Sequence, residues 1–525
     1  MRHCSSVLPI SGKKPPAYET FAAKGKSFCV CEAANEYRPR NPEDNPLYGV
    51  VSRHLETYLT AQSARERPVP RFVERELRAF LECGVLANGF LRVHCDTCGK
   101  DRVVAFSCKG RSVCSSCCGR RMADTAAHLV DRVLPEVPVR QWVLSLPFAL
   151  RYRLAYDSGL VRDVLKIFIR VIFSSLRRRA QKYAGIGNYK CGAVTFVQRF
   201  GGAININIHF HTLVPDGAFY RNDEGNIEFQ RLPPPSDSEV LGLTEQIARR
   251  ITCLLERRGL VPDADQEEAD PLSSEQPLLA ELYTASVQGR ISTGPKEGNY
   301  LATAGFQPAR LQNKRKAGAR CASVSGISLH ANVCIPAKAR RRLENLCRYV
   351  ARPAVATERL SVLEDGRVAY RLRHPWRNGA THVLFEPLDL IAKLAALVPP
   401  PRFNLVRYHG VLAPGSRWRN RVVPFDHGQS DAPDRCGCGE EKKEKKTSAK
   451  DSQKAGCRHP RNYSWAELLK RVFEVDVLEC PDCGCRMRIL CAINPPDAIR
   501  KILDCLGLPS RPPPISPAVE ENYFD

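Results

Sequence analysis

Two histidines stand at alternate positions of the short segment Ile208-His209-Phe210-His211. Apolar residues occupy every second position from Ile204 to Phe210, and asparagine or histidine fills the positions between them. Since side chains alternate across a strand, this pattern predicts a β-strand with one apolar and one polar face. Two neutral imidazoles on one face are suitable ligands for a divalent metal ion. The alternative is a half-exposed strand that carries two histidines and binds no metal.

A third metal ligand is harder to identify. If Gly201-Gly202 forms a two-residue hairpin turn, Gln198 lies opposite Asn205 and about 13 Å along the strand from His209. That distance excludes Gln198 unless the strands rearrange. His330 lies on the polar face of a strand predicted over residues 327–335, so it is the other candidate for the third ligand.

Tyr349 lies near the end of a helix predicted over residues 338–350. Leu343, Leu346, Cys347 and Val350 form the apolar stripe of this helix, and Tyr349 lies at its edge. Arginines cover other parts of the helix surface, so a tyrosine there can face a cleft that attracts phosphate. The alternative is an amphipathic core tyrosine without a chemical role.

Two Cys-x2-Cys pairs stand 15 residues apart, and this spacing is typical of a structural zinc site. The sequence therefore predicts that one Zn²⁺ ion is bound by Cys95, Cys98, Cys114 and Cys117. Cys108 or Cys118 can replace one of these ligands, whereas Cys83 is expected to be only buried.

A further Cys-x2-Cys pair, Cys480 and Cys483, lies near the end of the chain. It is a candidate for a second zinc site, with no obvious partner ligands. The alternative is a turn with buried thiols.

Charge and composition indicate a nucleic-acid partner. The 79 lysines and arginines exceed the 56 acidic residues and give a net charge of +23, which attracts polyanions. The sequence shows no apolar run of transmembrane length and no apolar signal segment over residues 1–14, so we expect a cytoplasmic protein with no membrane association. The 23 cysteines then favour metal binding over disulfides.

The elements that must position these residues follow the order strand, helix, strand, strand, helix, strand, helix from about residue 137. This order predicts an α+β fold with a ferredoxin-like core and an antiparallel sheet. Five regions are expected: an irregular N-terminus (1–44), a helical zinc-binding domain that contacts DNA (45–135), a catalytic domain (136–430), a disordered linker (431–462) and a small C-terminal module with a tail (463–525).

The sequence resembles the rolling-circle insertion-sequence transposases, which belong to the histidine-hydrophobe-histidine (HUH) nucleases. The resemblance extends from about Tyr37 to Leu508. The segments that carry it are 72–76, 95–122, 200–217, 327–355, 406–414 and 476–490.

The resemblance implies a role for each candidate residue. His209 and His211 would hold Mg²⁺ or Mn²⁺ at the scissile phosphate, and Tyr349 would form a 5′-phosphotyrosine bond and leave a free 3′-hydroxyl. The N-terminal cysteines would form a zinc-binding domain for DNA contact. The implied function is a bacterial transposase that nicks and rejoins single-stranded DNA at the ends of a mobile element.

The tyrosine pattern departs from that of well-known relatives, which carry two tyrosines with three residues between them. The positions four before and four after Tyr349 are Asn345 and Pro353, so this chain matches the single-tyrosine relatives. Two alternatives stay open: a replication initiator or other nicking enzyme with the same core, and a non-catalytic zinc-dependent DNA-binding protein. The sequence indicates no oligomeric state.

Overall fold

The computed structural model describes residues 41–519, apart from residues 186, 261–269, 307–317, 377, 425–463 and 474–475. The linker expected over 431–462 therefore lies wholly outside the described residues. None of the described helices is both long and apolar enough to cross a membrane.

Two helices open the described chain, α1 (Pro46–Ala64) and α2 (Arg71–Glu82). The Asn45 side chain caps α1 by accepting a hydrogen bond from the Leu47 N–H, and Pro46 occupies the first turn, where no N–H partner is needed. Pro68 and Pro70 lie between the two helices, where proline interrupts the hydrogen-bond pattern of a helix.

The cysteine-rich region forms a small hairpin followed by a helix. The elements are β1 (Phe90–His94), β2 (Asp101–Ala105) and α3 (Ser115–Arg132). β1 and β2 pair antiparallel, and Cys114 caps α3 by accepting from the Cys117 N–H.

The central region contains the sheet that carries the histidine pair. Its elements are β3 (Val139–Ser145), α4 (Phe148–Tyr156), α5 (Ser158–Ala184), β4 (Gly192–Phe200), β5 (Ile206–Pro215), β6 (Gly217–Arg221), β7 (Ile227–Arg231), α6 (Asp237–Arg257), α7 (Pro271–Glu275), α8 (Pro277–Gln288), β8 (Ala302–Phe306), β9 (Cys321–Val324), β10 (Ile327–His330), β11 (Cys334–Ile335) and α9 (Arg340–Val350).

The remaining elements complete this region and then lead to the C-terminal segment. They are β12 (Leu360–Val362), β13 (Val368–Arg371), β14 (Ala380–Phe385), α10 (Pro387–Leu397), β15 (Val406–Gly410), α11 (Arg419–Val422), α12 (Trp465–Phe473), β16 (Arg488–Ile493) and α13 (Pro496–Cys505).

The main sheet has the strand order β15-β4-β5-β3-β10-β9, with β11 paired to β3, and its described pairs are antiparallel. Its four central strands, β4-β5-β3-β10, have the order of a ferredoxin-like sheet, with α5 and α6 in the two crossovers. The α+β fold predicted from the sequence is confirmed.

Two layers of helices cover the two faces of this sheet. Trp142, Ile208 and Phe210 point into the large core that contains residues of α4, α5, α6 and α8. Val194, Phe196 and Leu213 point to the other face, where buried residues of α3 and α9 cover them. The helix that carries Tyr349 therefore packs on the face from which the histidines project.

β15 closes the β4 edge of the sheet, in the segment 406–414 that carries part of the resemblance. Gly410 ends this strand with φ of 59°, and a Cβ atom there would lie 1.9 Å from the carbonyl oxygen of Cys191. Only glycine fits this close approach, because other residues would clash with the backbone of the neighbouring strand.

The C-terminal segment differs from the separate module that the sequence predicts. β16 pairs antiparallel with β1, and the two form a three-stranded sheet with β2. This partner was not evident from the sequence, because the strands that pair are almost 400 residues apart.

Candidate active site and cysteine clusters

His209 and His211 project from β5 toward α9. Their ring centroids are 4.9 Å apart, closer than their backbones, because the two rings lean toward each other. His211 is only 6% exposed and His209 is half-buried. This arrangement can present two ring nitrogens to one ion.

The register of the β4–β5 hairpin differs from the sequence-based expectation. Gln198 pairs with His209, whereas a two-residue turn would have placed it opposite Asn205. The turn is longer: Gly201 and Asn205 close it with a backbone hydrogen bond of 2.8 Å, and a register shift follows Gln198. Gln198 therefore lies opposite His209, and the distance expected to exclude it as a metal ligand is wrong.

Gln198 lies between the histidine strand and the tyrosine helix. Its Nε2 atom donates to the Val350 carbonyl over 3.4 Å. Its Oε1 atom is buried and has no hydrogen-bond partner among the described residues. A buried amide oxygen without a partner is costly, and a metal ion at this position would satisfy it.

Each histidine has a hydrogen-bond partner for its Nδ1 atom. His209 Nδ1 donates to the Asn207 carbonyl over 2.8 Å, so its Nε2 atom keeps a free lone pair. His211 Nδ1 lies 2.8 Å from the Gln141 amide nitrogen on β3. A 180° rotation of this amide would present Oε1 instead and make His211 Nδ1 the donor.

The surroundings of both rings favour the neutral imidazole. Burial lowers the pKa of His209, and the positive charges of Arg352 and Arg151 lower it further. Burial, the neighbouring His209 and Arg352 lower the pKa of His211 to about 3. Both rings are therefore in the form that binds metal at neutral pH.

Tyr349 lies beside the histidine pair at the last turn of α9. Its ring centroid is 6.1 Å from that of His211, with the two planes nearly perpendicular. The side chain is 41% exposed, whereas Leu343, Cys347 and Val350 on the same helix are buried. The phenol is thus held by a buried helix face but stays open to solvent.

Two arginines flank the Tyr349 ring. The guanidinium carbon of Arg352 lies 5.0 Å from the ring centroid, and that of Arg373 lies 5.6 Å from it on the segment after β13. Neither arginine forms an ion pair with a carboxylate among the residues that the structure describes. Burial and the nearby charge of Arg373 contribute to the lowered pKa of Arg352. Such a pair of cations can hold an anion beside the phenol.

His330 does not reach the histidine pair. It lies on β10, and β3 separates that strand from β5, which puts the two backbones about 10 Å apart. Its Nε2 atom contacts Cys321 Sγ at 2.9 Å instead. This position does not support His330 as the third metal ligand.

The two N-terminal Cys-x2-Cys pairs do not share one site. Cys114 and Cys117 lie instead with Cys83 and Cys108, and this group is called the N-terminal cluster below. Three of its sulfur–sulfur distances are 3.4, 3.6 and 3.6 Å. Four thiolates at about 2.3 Å from one zinc ion would be about 3.8 Å apart, so the cluster fits a tetrahedral zinc site.

Cys95 and Cys98 lie with Cys480 and Cys483 in a second group, called the split cluster below. Sulfur–sulfur distances of 3.5 Å join Cys95 to Cys483 and Cys98 to Cys480. The single zinc site predicted from Cys95, Cys98, Cys114 and Cys117 is thus corrected to two groups, each completed by residues whose sequence spacing gives no indication of the pairing.

Of the three other cysteines considered near this site, only Cys83 has a role opposite to the one expected. Cys83, which was expected only to be buried, belongs to the N-terminal cluster. Cys108, which was a candidate ligand, belongs to it as well. Cys118 does not join: its thiol faces the Gly110 carbonyl, and burial raises its pKa to about 12.

Sequence reasoning missed Gln141 and the two arginines beside Tyr349. Strand alternation on β3 could have placed Gln141 on the histidine face, but the pairing of β3 with β5 was needed to bring it to His211. The positions of Arg352 and Arg373 depend on the chain after α9, which no periodic pattern describes.

Comparison with protein families gives two matches. Residues 192–420 match a family model described as "Putative transposase". Residues 50–146 match the IS91-type "Transposase zinc-binding domain". The two models together cover more than half of the chain. Comparisons with curated proteins and with solved structures give no match.

Proposed function

Because the chain belongs to the transposase family that carries an IS91-type zinc-binding domain, we propose that it nicks and rejoins single-stranded DNA in rolling-circle transposition. The observation that carries this proposal is the contact of Tyr349 with His211, which joins a solvent-open phenol to a pair of neutral imidazoles, one buried and one half-buried. A phenol is a nucleophile, and the imidazoles are ligands for the ion that activates its target.

The donor atoms around the pair fit a divalent ion. His209 and His211 offer ring nitrogens, and the unpartnered Oε1 atom of Gln198 is the proposed third ligand, in place of His330. Mg²⁺ or Mn²⁺ bound here would act as a Lewis acid on a nonbridging oxygen of the scissile phosphate. For His211 to bind through Nε2, Gln141 must accept from Nδ1, and we infer that its amide has this orientation in the metal-bound protein.

Arg352 and Arg373 are proposed to hold the scissile phosphate. Both guanidinium groups lie against the Tyr349 ring and lack a carboxylate partner among the described residues. Guanidinium groups match the geometry of phosphate oxygens. A phosphate between them would lie next to the phenolic oxygen, where it can be attacked.

In the proposed step, Tyr349 Oη forms a bond to the phosphorus and the bond from phosphorus to the 3′-oxygen breaks. The phenolic proton passes to solvent, and the leaving 3′-oxygen takes up a proton. The products are a 5′-phosphotyrosine and a free 3′-hydroxyl. The reverse attack by a 3′-hydroxyl rejoins the strand without ATP, since the phosphoester energy is kept in the covalent bond.

One tyrosine on α9 implies one covalent bond per active site at a time. Asn345 and Pro353 occupy the positions that would carry a second tyrosine in the two-tyrosine relatives. A mechanism that passes the strand between two tyrosines of one helix is therefore not proposed for this chain.

The proposed substrates are single-stranded DNA and the DNA at the ends of the element, in the cytoplasm of a bacterium. The net charge of +23 supports binding to phosphates. The zinc-binding domain and the cysteine clusters support structural Zn²⁺, and the proposed task of that domain is contact with DNA.

The proposal is tested with purified protein, Mn²⁺ and a single-stranded oligonucleotide that carries the element end. We expect cleavage with a covalent protein–DNA product, and we expect Tyr349→Phe to lose the covalent product by at least about 10³-fold, since the variant lacks the nucleophilic oxygen. Tyr183→Phe is the matched control, because Tyr183 is also exposed, at 61%, but lies at the end of α5. Equal covalent product from Tyr349→Phe and the parent would refute the assignment.

A further inference from the structure

The two halves of the split cluster have the same backbone structure. In the first half, the Cys95 N–H donates to the Lys100 carbonyl and the Gly99 N–H donates to the Cys95 carbonyl, each over 2.9 Å. In the second half, Cys480 and Gly484 make the equivalent two bonds, again over 2.9 Å. Two matching turns that present their sulfurs to each other are the arrangement that one tetrahedral ion requires.

A glycine follows each Cys-x2-Cys pair and closes its turn. Gly99 has φ of 72° and Gly484 has φ of 69°, a left-handed conformation that glycine adopts without strain. Side chains also join the two turns: Lys100 donates to Asp482 over 2.7 Å, and Arg488 donates to Asp96 over 2.7 Å. The four thiols therefore meet in an interface built from both segments.

Little apolar contact holds this interface together. Val93 and Met487 pack beside Cys95 and Cys480 in a small cluster, and Phe90 packs separately against Ile499 and Leu503 of α13. Apolar clusters this small rarely stabilise a folded segment without a cross-link such as a bound metal ion.

We propose that the split cluster binds a second structural zinc ion, which fastens the C-terminal segment from Asp476 to Leu508 onto the N-terminal zinc-binding domain. Cys480 and Cys483 lie outside the residues that match that domain, 50–146, so the ion completes the domain with residues from the far end of the chain. The N-terminal cluster holds the other zinc ion. Zinc binding and folding of the C-terminal segment are then one coupled event.

The ion also anchors α12, the helix just before the second Cys-x2-Cys pair. Leu468 of α12 packs on Ala123 and Ala127 of α3. Arg471 of α12 binds Asp131 on α3 and Glu344 on α9, and it lies 2.7 Å from the Glu344 carboxylate. Through this contact the fastened segment positions α9, the helix that carries Tyr349. This consequence depends on the proposed role of Tyr349.

The zinc content of the full-length chain tests the site independently of DNA cleavage. We expect about two zinc ions per chain in the parent and about one in the double variant Cys480→Ser/Cys483→Ser, because each cluster supplies four ligands to one ion. Cys491→Ser/Cys505→Ser is the matched control, since both of these thiols are exposed in the same segment and lie outside the clusters. Two zinc ions in the first double variant, or one in the parent, would overturn the proposal.

Hydrogen exchange shows whether the ion fastens the segment. In Cys480→Ser/Cys483→Ser, we expect faster amide exchange in β1 and β16 and unchanged exchange in β4 and β5. If this variant unfolds throughout, Cys480→His provides the decisive comparison, because histidine is also a zinc ligand. Retention of both zinc ions by Cys480→His supports the site, and loss equal to that of Cys480→Ser overturns it.

Discussion

At the residue scale, the proposed metal site depends on side chains that orient the imidazoles. The Asn207 carbonyl fixes the tautomer of His209, and Gln141 contacts His211 Nδ1. Partners of this kind set ring direction and ligand basicity. Gln198 adds an amide oxygen that the protein alone leaves without a partner among the described residues.

Replacement of Gln198 should weaken the metal site without unfolding the sheet. We expect Gln198→Ala to lower the affinity for Mn²⁺ by about 10- to 100-fold, while Gln198→Glu retains it, because a carboxylate also donates an oxygen to hard cations. Titration with Mn²⁺ measures the affinity directly. Gln181→Ala, at an exposed position of α5, is the control. Unchanged Mn²⁺ affinity in Gln198→Ala would exclude Gln198 as a ligand.

The limits of sequence-based prediction are also visible at this scale. Alternation alone indicates which face His209 and His211 share, because that face depends only on neighbours along one strand. The position of Gln198 could not be derived in the same way, since a longer turn and the register shift after Gln198 together move its partner from Asn205 to His209.

At the element scale, α9 lies between the histidine sheet and the C-terminal helix α12. Burial would raise the pKa of Glu344 on α9, but hydrogen bonds from Arg471 and Arg348 outweigh it and lower the pKa. Glu344 therefore stays ionised and connects the two helices. Removal of Arg471 would leave the buried Glu344 carboxylate with one fewer cationic partner. This costs folding free energy, because the carboxylate keeps its desolvation penalty.

The contact between α12 and α9 should affect the covalent step more than DNA binding. We expect Arg471→Ala to slow formation of the covalent product at saturating DNA by about 2- to 30-fold, which corresponds to ~0.5–2 kcal/mol of coupling. The dissociation constant for the oligonucleotide and the zinc content should not change. Lys470→Ala is the control, since Lys470 binds Asp476 and not α9. An unchanged rate, or a loss of DNA affinity equal to the loss of rate, would contradict a positioning role.

The central elements could be predicted because their patterns are local. The ferredoxin-like order of the core follows from periodicity and turn residues. β16 and α12 could not be placed, because their partners β1 and α9 lie far away in sequence and no pattern encodes such pairings.

At the scale of the whole molecule, thiols from distant parts of the chain meet at the zinc-binding domain. Cys98 and Cys480 are 382 residues apart, yet their sulfurs are 3.5 Å from each other. Sequence spacing identifies Cys-x2-Cys pairs but not which pairs share an ion. Which pairs share an ion becomes evident only from the folded structure, where distant segments lie side by side.

Global stability should depend on pH through His409, which is half-buried on β15. Burial and the charge of Arg407 lower its pKa to about 4, and its Nε2 atom has no hydrogen-bond partner among the described residues. The unfolded chain then binds more protons than the folded one, so this stability is present above about pH 6.5 and is lost as the pH falls toward 4.

His409→Gln should therefore flatten the loss of stability in acid. Between pH 6.5 and 5, the parent should lose up to ~2 kcal/mol more unfolding free energy than this variant. Urea unfolding at a series of pH values gives the two slopes, with exposed His330→Gln as the control. Parallel slopes for the parent and His409→Gln would show that His409 is not buried in its neutral form.

The central claim is that Tyr349 becomes covalently bonded to DNA beside the metal site. Its most direct test is mass spectrometry of the covalent product after digestion with protease and nuclease. We predict a nucleotide 5′-phosphate attached to the peptide that contains Tyr349, formed only when a divalent ion is present. Attachment at any other residue, or cleavage of the oligonucleotide with no covalent peptide, would contradict the proposed mechanism.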